Sequence, residues 1–437
     1  MSARRFAAYS LSCFAFTFST AFAQDDIQTQ ETIEVIGITP VLGVGLPEEK
    51  IPYNIQSATA EDLAASTSLD ITDFMSRNFN SVVINDAQNN PLQPDIQYRG
   101  FTASPLLGLP QGLAVYQNGV RVNEVFGDTI NWDLIPESSI SNMNLVGGTN
   151  PVFGLNTLGG AISIETKNGF THTGHNFEVY GGPVHDRVVL TAESGGNNGT
   201  FGYYGTVQYF DEEGWRDASP SDSVNIFTAL SYRDGTTTSL DLNFNYGDTD
   251  LIGNGAIPIE LANQDREAIF TSPDQTENQM FMIQGQGEHW FSNTWQISGN
   301  AFYRRNETDT FNGDGTEFEE CTIDGTEVLI EVDEDDLEDA GIDCEGAGTT
   351  TAALNTANID FEIVEDQFGN NVDENNAQIT ALGLDIDELN GLNNRSDREQ
   401  ESYGGTFQNV FLGDLFGKKN QLIVGAGYYQ GDVVFNS

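Results

Sequence analysis

The segment SLDLNFNYGD, residues 239–248, alternates between apolar and polar side chains along its whole length. Because successive side chains of an extended chain point to opposite faces, this period of two predicts a β-strand with one apolar and one polar face. The apolar face would carry Leu240, Leu242, Phe244 and Tyr246, and the polar face Ser239, Asp241, Asn243 and Asn245. The segments TFGYYGTVQYF (200–210) and TWQISGNAFYRR (294–305) repeat the arrangement. About nine such strands follow residue 170, which predicts a mainly β structure.

Strands with alternating faces occur in soluble sandwiches and in transmembrane barrels, and the links between the strands favour the barrel. Short and long links alternate along the chain. The short ones are YRDGTTT (232–238), HWFSNTW (289–295) and LGDLFGKKN (412–420), and the long ones follow Phe210, Gly247 and Arg305. In outer-membrane barrels, short periplasmic turns alternate with long outer loops along the chain. We therefore predict an antiparallel transmembrane β-barrel in residues 170–437, whose first strand, near 175–181, rises from the periplasmic side.

The N-terminus has the features of an export signal. Arg4 and Arg5 precede the apolar run FAAYSLSCFAFTF (6–18), and Ala21-Phe22-Ala23 supplies a small-x-small cleavage pattern. We expect residues 1–23 to be a signal peptide. The run is too short for a membrane-spanning helix, and Cys13 lies inside it rather than after it, which argues against a lipoprotein.

The overall charge excludes one class of partner. The chain has 17 Lys and Arg residues against 66 Asp and Glu residues, which gives a formal net charge of -49. Nucleic-acid binding through phosphates requires basic surface, so no nucleic-acid partner is expected. After removal of the leader, Cys321 and Cys344 remain, and we expect them to form a disulfide in an oxidising compartment. The alternative is two unpaired thiols.

The longest predicted outer link, residues 306–394, contains no Lys, Arg or His. A run of one charge sign is usually a solvated surface, and that is the favoured interpretation. Loose Ca²⁺ binding and attraction of a cationic ligand remain as alternatives. The link has no loop with the acidic spacing and terminal Glu of an EF-hand, so no specific calcium site is predicted.

Before residue 170 the pattern changes to a small mixed α+β unit. The stretch TAEDLAASTSLDITDFMSRN (59–78) has helix starters and helical apolar spacing. Short strands are predicted in PDIQYRGF (94–101), GLAVYQNGVRVNE (112–124) and GAISIETK (160–167). Asn118-Gly119 predicts a two-residue hairpin within the second of these.

This unit resembles the plug domain of TonB-dependent outer-membrane receptors of Gram-negative bacteria, over residues 46–169. The residues that carry the resemblance are Arg99-Gly100, Asn118-Gly119, Pro136, Pro151, Phe153-Gly154, Gly159-Gly160 and Thr166-Lys167. Two features depart from the usual pattern: Asn118 replaces an acidic residue, and FGLNTLGG (153–160) replaces a form that contains tyrosine. Both indicate a divergent subgroup.

The resemblance implies a 22-stranded barrel with the plug inside it. With about nine strands, the chain then looks like a receptor that lacks its C-terminal half, and Phe435-Asn436-Ser437 lacks the usual terminal aromatic residue.

The resemblance also implies that ETIEVIG (31–37), in a periplasmic tail 24–45, is the TonB box. The residues expected to bind TonB are Glu31, Thr32, Ile33, Glu34, Val35 and Ile36. Ile33, Val35 and Ile36 have strand propensity and no evident partner, so a second protein could complete the sheet through its backbone. The alternative is an ordinary first strand of the plug.

The resemblance implies an energy-coupled importer that needs no cofactor within this chain and is not an enzyme.

 Its expected partners are TonB, outer-membrane lipid and a small-molecule ligand such as a ferric siderophore or a similar iron chelate, and we expect a monomer in the outer membrane. The candidate ligand contacts lie in two plug loops and are Phe101, Ser104, Phe126, Asp128 and Trp132. The alternative is that these aromatic residues pack the plug against the barrel wall.

Three other interpretations stay open: a passive porin, an adhesin and a non-functional fragment of a receptor. A porin or adhesin would not need the strand-like segment 31–37. No G-x-S-x-G, H-E-x-x-H or P-loop motif is present to nominate a catalytic site. His172 and His175 have the spacing of a weak metal motif, and no metal site is predicted from it.

Overall fold

The computed structural model of the protein describes residues 35–36, 46–47, 51, 53–86, 88–149, 153–183, 185–316, 318–332, 334–344, 349–366, 368–386, 389 and 391–437. Within these ranges the chain is mainly β, with a small mixed domain followed by a long antiparallel sheet. None of the helices in these ranges is long and apolar enough to cross a membrane.

Two short strands come first. β1 (Val35–Ile36) and β2 (Leu46–Pro47) pair antiparallel, with Val35 opposite Pro47 and Ile36 opposite Leu46. The sequence predicts no strand partner for this segment, and for these two residues that prediction is wrong. The preceding four residues of the predicted TonB box, Glu31 to Glu34, lie outside the described residues, as does the predicted signal peptide.

In its described residues the N-terminal domain contains two α-helices and eight strands in two sheets. Its elements are β3 (Ile55–Thr59), α1 (Ala60–Ser66), α2 (Ile71–Asn78), β4 (Val82–Asn85), β5 (Asp95–Tyr98), β6 (Phe101–Ala103), β7 (Leu113–Gln117), β8 (Val120–Arg121), β9 (Ile140–Gly147) and β10 (Gly160–Thr166). One sheet has the order β3-β9-β10-β7-β8, and the other has the order β4-β5-β6. Both helices and both sheets contribute to one apolar core, which includes Leu63, Phe74, Ile96, Leu113, Trp132 and Ile162.

The predicted helical stretch 59–78 divides into α1 and α2 because of its capping residues. The Thr59 hydroxyl accepts a hydrogen bond from the Asp62 amide, and the Asp62 carboxylate accepts one from the Thr59 amide, which forms a capping box at the start of α1. The helix ends at Ser66, and its C-cap Thr67 has a φ of 51°, which lies in the left-handed region. Asp70 then caps α2 by accepting hydrogen bonds from backbone amides in the first turn of that helix.

The long sheet begins after this domain, and each of its strands pairs antiparallel with the next. The first seven strands are β11 (Gly174–Gly182), β12 (Arg187–Asn197), β13 (Phe201–Glu212), β14 (Ser221–Arg233), β15 (Thr238–Ile252), β16 (Asp274–Ser292) and β17 (Trp295–Gly315). A short helix, α3 (Ile259–Gln264), lies in the link between β15 and β16.

An insert then separates β17 from the last two strands of the sheet. Its elements are β18 (Phe318–Ile323), β19 (Thr326–Glu331), α4 (Glu334–Ala340), α5 (Thr351–Ala357), β20 (Glu362–Ile363) and α6 (Ala377–Leu382). The sheet continues with β21 (Gly391–Leu415), which pairs with β17, and β22 (Lys418–Asn436). The sheet therefore has the nine strands that the sequence predicts.

The two faces of this sheet distinguish a barrel wall from a sandwich. Along β15, Asn243 is 3% exposed, whereas its apolar neighbour on the other face, Leu240, is 50% exposed. A soluble sandwich would bury the apolar face, whereas a membrane barrel turns it toward lipid. The polar face of the sheet instead faces the N-terminal domain. The predicted β-barrel architecture with an α+β domain is therefore confirmed.

The boundaries of the predicted link 306–394 are wrong at both ends. β17 continues to Gly315 and β21 begins at Gly391, and these two residues lie opposite each other in the sheet. Beyond the lipid both faces of a strand meet water, so an apolar face no longer marks the strand in the sequence.

The insert has a core of its own as well as a charged surface. Ile323, Val328, Ile330 and Leu354 are buried together with Cys321, and a second small cluster surrounds Leu329. A disulfide joins Cys321 to Cys344, whose Cα atoms are 4.4 Å apart. Among the described residues, no group of three His, Cys, Asp or Glu side chains is arranged to hold a metal ion.

Candidate functional site

The links between the barrel strands define two ends of the sheet. One end of the sheet has the short turns, at 198–200, 234–237, 293–294 and 416–417. The other end has the links at 183–186, 213–220 and 253–273 and the insert. The short and long links therefore alternate as predicted. By the convention of outer-membrane barrels, the end with the long links faces outward. This end is called the outer end.

A buried ion pair fixes one loop of the N-terminal domain to the barrel wall. Arg304 of β17 donates two hydrogen bonds to Glu124, of 2.8 Å from Nη1 to Oε2 and 2.6 Å from Nη2 to Oε1. Asn131 and Asn306 also donate to Oε1. Both charged side chains are almost completely buried. Because a bidentate pair constrains distance and orientation, this contact fixes the loop that follows β8 against the wall.

A second contact is made by the short 3-10 turn Trp132–Leu134. The Asp133 carboxylate accepts hydrogen bonds from Thr249 of β15, at 2.7 Å, and from Asn278 of β16, at 3.0 Å. Its backbone carbonyl accepts another from Asn225 of β14, at 2.8 Å. Burial raises the pKa of Asp133 to about 6, although the bonds from Thr249 and Asn278 oppose the increase. One turn is thereby bonded to three neighbouring strands.

A third contact lies where the N-terminal domain joins the sheet. Lys167 Nζ is 2.8 Å from the Glu193 carboxylate of β12. Tyr204 of β13 donates to the same carboxylate at 2.6 Å and to the Ser138 carbonyl at 2.8 Å. Glu193 belongs to the half of β12 that leads to the short turn at 198–200, so this contact lies away from the outer end.

Small apolar clusters complete the interface. Leu134 packs with Met280 and Met282 of β16, and Leu92 packs with Val189 and Phe210 of the first strands. Many of these contacts are polar, and polar groups that leave the interface can bond to water, which offsets part of the cost of separating the domain from the wall. This arrangement can hold the domain in one position and still allow it to be displaced.

The hairpin residues of the predicted motif adopt the left-handed backbone that their positions require. Arg99-Gly100 joins β5 to β6 and Asn118-Gly119 joins β7 to β8, and all four residues have positive φ. The Asn118 side chain donates to Thr166 Oγ1 at 2.8 Å and accepts from the Thr166 amide at 2.9 Å. Asn118 therefore joins the hairpin to the end of β10.

The aromatic and glycine residues of the motif are structural as well. Phe153 is buried, and its ring meets the Tyr116 ring edge-on, with centroids 5.7 Å apart. A side chain at Gly159 would collide with the Phe101 ring, and one at Gly160 would collide with the Val146 carbonyl. Gly154 has a φ of 75°. These glycines permit close packing of the loop against β6 and β9.

Two of the five predicted ligand contacts are buried. Ser104 has no exposed surface, and its hydroxyl bonds to Asp95. Trp132 is 2% exposed, lies in the apolar core and donates to the Ala103 carbonyl at 3.3 Å. In the described conformation neither side chain lines a surface. Polar and aromatic residues in a loop pattern do not reveal burial, so the sequence could not exclude them.

The other three predicted contacts reach the surface. Phe101 and Phe126 are 38% and 37% exposed. The Phe126 ring also stacks on Phe435 of β22, with centroids 5.2 Å apart. Phe126 is therefore partly exposed and also packs against the barrel wall, which was the alternative. Asp128 forms an ion pair with Arg121 and accepts a hydrogen bond from Asn156 at 2.6 Å.

Glu124, Asp133 and Arg304 were not predicted from the sequence. Arg304 falls on the polar face of TWQISGNAFYRR, and a charge at a lumen-facing position was an available signal. Glu124 and Asp133 lie in loops, where the sequence has no hydrophobic periodicity from which a buried acid could be predicted.

Comparison with known proteins agrees with these observations. The family described as TonB-dependent Receptor Plug Domain matches residues 47–161. The ferric aerobactin receptor of Klebsiella pneumoniae is 28% identical over 160 residues, which are 35% of this chain and 20% of that receptor. The ferric aerobactin receptor of Escherichia coli gives the same values. The match thus spans about one fifth of these curated relatives.

Solved receptors share the fold over most of this chain. The ferric-catecholate import receptor Fiu from E. coli K12, in its closed form, has a TM-score of 0.62 and 11% identity, covering 92% of this chain and 49% of Fiu. The ferripyoverdine receptor of the outer membrane of Pseudomonas aeruginosa has a TM-score of 0.58 and 12% identity, covering 89% of this chain and 43% of that receptor. The chain spans about half the length of these structures. Residues 47–161 thus match the plug-domain family of TonB-dependent receptors, and the strands that follow have the fold of the barrel in these solved receptors.

Proposed function

We propose that the protein is an outer-membrane receptor that imports a ferric siderophore, and that TonB drives the import by displacing the plug. The observation that carries the proposal is the position of the plug against the polar face of the barrel strands. The plug contacts strands β12 to β17 through side chains such as Glu124, Asp133 and Lys167. A passive pore is less well supported because a folded domain lies against the face that would line it.

The ligand would bind at the outer end of the plug. Glu124 and Phe126 contact β17 and β21, and the part of β21 that bonds to Phe126 leads outward to the insert. Phe101, Phe126 and Asp128 are the proposed ligand contacts that remain accessible. The related receptors are named for ferric aerobactin, ferripyoverdine and a ferric catecholate, which supports a ferric chelate as the ligand class.

TonB would bind at segment 31–36. Val35 and Ile36 already have an extended backbone, and β1 and β2 form a sheet of only two strands. The second edge of β1 has no strand partner within the described part of the chain. A strand of TonB could add to that edge through backbone hydrogen bonds, or replace β2.

The test measures uptake of radioactive iron, supplied as ferric aerobactin, into cells whose own siderophore receptors have been deleted. We expect uptake with the full chain only when the host has TonB. Val35→Pro removes a backbone donor from the segment, so uptake should fall to the level of cells without TonB. Binding of the chelate to the cell surface should not change.

Leu46→Pro is the matched control because Leu46 lies opposite Ile36 in the same two-stranded sheet. It disrupts the internal pairing and leaves segment 31–36 intact. Uptake within about two-fold of wild type is expected if the segment serves TonB. Equal loss in both variants would instead support the alternative that the segment is an ordinary strand of the plug. Uptake that is independent of TonB would refute the proposal.

A further inference from the structure

The inner face of β21 carries hydrogen-bond donors that lack acceptors. Arg398 is 6% exposed, and its Nε and Nη1 atoms have no hydrogen-bond partner among the described residues. Gln400 lies two residues further along the same face, is 2% exposed, and has an unpaired Nε2 atom. Burying a charged or amide donor without an acceptor is unfavourable. Gln400 lies opposite Asn306, whose Oδ1 is also unpaired, so the two nitrogens of Arg398 are the donors that indicate a missing partner.

The orientation of the Gln400 amide is determined by the plug. Gln400 Oε1 accepts a hydrogen bond from the backbone amide of Phe126 at 2.8 Å. If the oxygen and nitrogen were exchanged, two N–H groups would face each other. The atom that is left unpaired is therefore a donor, like the two unpaired nitrogens of Arg398.

The nearby carboxylate of Glu124 makes no hydrogen bond to Arg398 and is already paired with Arg304. Its Oε1 accepts from Arg304, Asn131 and Asn306, and its Oε2 accepts from Arg304. Arg304 already balances the charge of Glu124. Arg398 is thus a second buried cation, and it forms no ion pair with any residue in the described part of the chain.

Aromatic rings border the same place. Phe435 lies directly opposite Arg398 on β22, and its ring stacks on that of Phe126. The unpaired donors therefore lie where a plug loop meets two barrel strands. An occupant of this place would contact both the plug and the wall.

We propose that Arg398 and Gln400 form a binding site for an oxyanion at the outer part of the plug–barrel interface. A water molecule could accept the hydrogen bonds, but only an anion also balances the charge of Arg398. The oxyanion is either a carboxylate of the transported chelate or a small free anion. A carboxylate of the chelate as the source rests on the proposed function, whereas a small free anion as the source does not.

The first measurement is the thermal unfolding midpoint of the full chain in detergent while sodium formate is added to a zwitterionic buffer. Formate should raise the midpoint of the wild type by about 2–4 °C, as expected for a ligand that binds the folded state. Arg398→Gln should abolish the increase. Arg395→Gln is the matched control because it removes the same charge from the same strand, on the opposite face, where Arg395 lies over Phe311.

The second measurement distinguishes the two sources. Ferric aerobactin, which carries carboxylates, is compared with an uncharged ferric trihydroxamate by quenching of tryptophan fluorescence. If the chelate supplies the oxyanion, Arg398→Gln should weaken binding of ferric aerobactin about ten-fold or more and leave the uncharged chelate within about two-fold. If both affinities are unchanged while the formate effect is lost, a free anion occupies the site.

Equal formate effects in the wild type and both Arg variants would overturn the proposal. Arg398→Met also removes the charge and the donors and keeps an unbranched side chain, so it replaces Arg398→Gln if that variant does not fold. If neither chelate binds the wild type but formate still acts through Arg398, the proposed transport function fails and the oxyanion site stands.

Discussion

The plug–barrel interface and the insert between β17 and β21 are both rich in charged residues, but they handle charge in opposite ways. At the interface, Glu124 is paired with Arg304 and Lys167 with Glu193, and all four side chains are largely withdrawn from water. The insert contains no Lys, Arg or His, and it has a small apolar core closed by a disulfide. Stability in the first region therefore depends on matched charges, and in the second on apolar burial and a covalent link.

The largest predicted effect comes from removing the buried cation. Arg304→Gln leaves Glu124 buried without a counter-charge, and we expect a loss of about 3–5 kcal/mol in the free energy of unfolding. The measurement is urea unfolding of the full chain in detergent, together with protease cleavage of the plug, which should be faster in the variant.

The neighbouring Arg305 supplies the control. Its side chain is 43% exposed and pairs with Glu307 and Glu399 on the other face of the sheet. Exposed pairs contribute little, so Arg305→Gln should cost about 1 kcal/mol or less. Similar losses for the two variants would show that burial of the pair does not distinguish the interface from the exposed surface.

The next effect should be confined to the insert. Replacing Cys321 and Cys344 by Ser opens a loop with a sequence separation of 23 residues, and loop-closure entropy predicts a loss of about 3 kcal/mol in local stability. Protease cleavage within 316–390 should become faster, whereas cleavage of the plug should not change. The reduced wild type should behave like the variant. Faster cleavage of the plug as well would mean that the two regions are coupled.

A smaller effect concerns the response of the interface to pH. Burial, and then the charge of Asp70, raises the pKa of Glu137 from 4.5 to about 8. The folded protein thus holds a proton that the unfolded chain releases, and stability should fall as pH rises from about 5 to 8. Glu137→Gln should reduce this slope and stabilise the protein by about 1–2 kcal/mol at pH 8. Urea unfolding across this pH range tests it, with Glu61→Gln on the exposed part of α1 as the control. An unchanged slope in Glu137→Gln would contradict the assignment.

Much of the fold could be predicted from the sequence because membrane strands repeat a simple pattern. Leu240 and Asn243 identify the two faces of β15, and the link lengths identify the two ends of the sheet. The pattern disappears where strands leave the lipid, so the ends of β17 and β21 were misplaced. The candidate site was harder to predict. Ser104 and Trp132 are buried by contacts with residues distant in the sequence, and the partners Glu124 and Arg304 are separated by 180 positions.

The smallest predicted effect concerns Asn118, where this sequence departs from the acidic residue that the resemblance to other plugs leads one to expect. Asn118 has a φ of 49°, a conformation that Asn and Asp both tolerate, and its side chain bonds to the amide and hydroxyl of Thr166. In Asn118→Asp, the Thr166 hydroxyl can rotate and donate to the carboxylate, so both bonds can persist. We expect a change below about 1 kcal/mol in urea unfolding, because the hydrogen bonds from the Thr166 amide and hydroxyl stabilise the carboxylate and offset most of the cost of burying its charge.

Asn118→Leu should cost more, because it loses both bonds and places a side chain without a local hydrogen bond in the left-handed region. The comparison separates the hairpin from the ion pairs of the interface. If Asn118→Asp were as harmful as Arg304→Gln, an additional buried acid would be as unfavourable here as an unpaired Glu124. The presence of Asn118 instead of an acidic residue would then be explained by the charge balance between plug and wall rather than by the geometry of the turn.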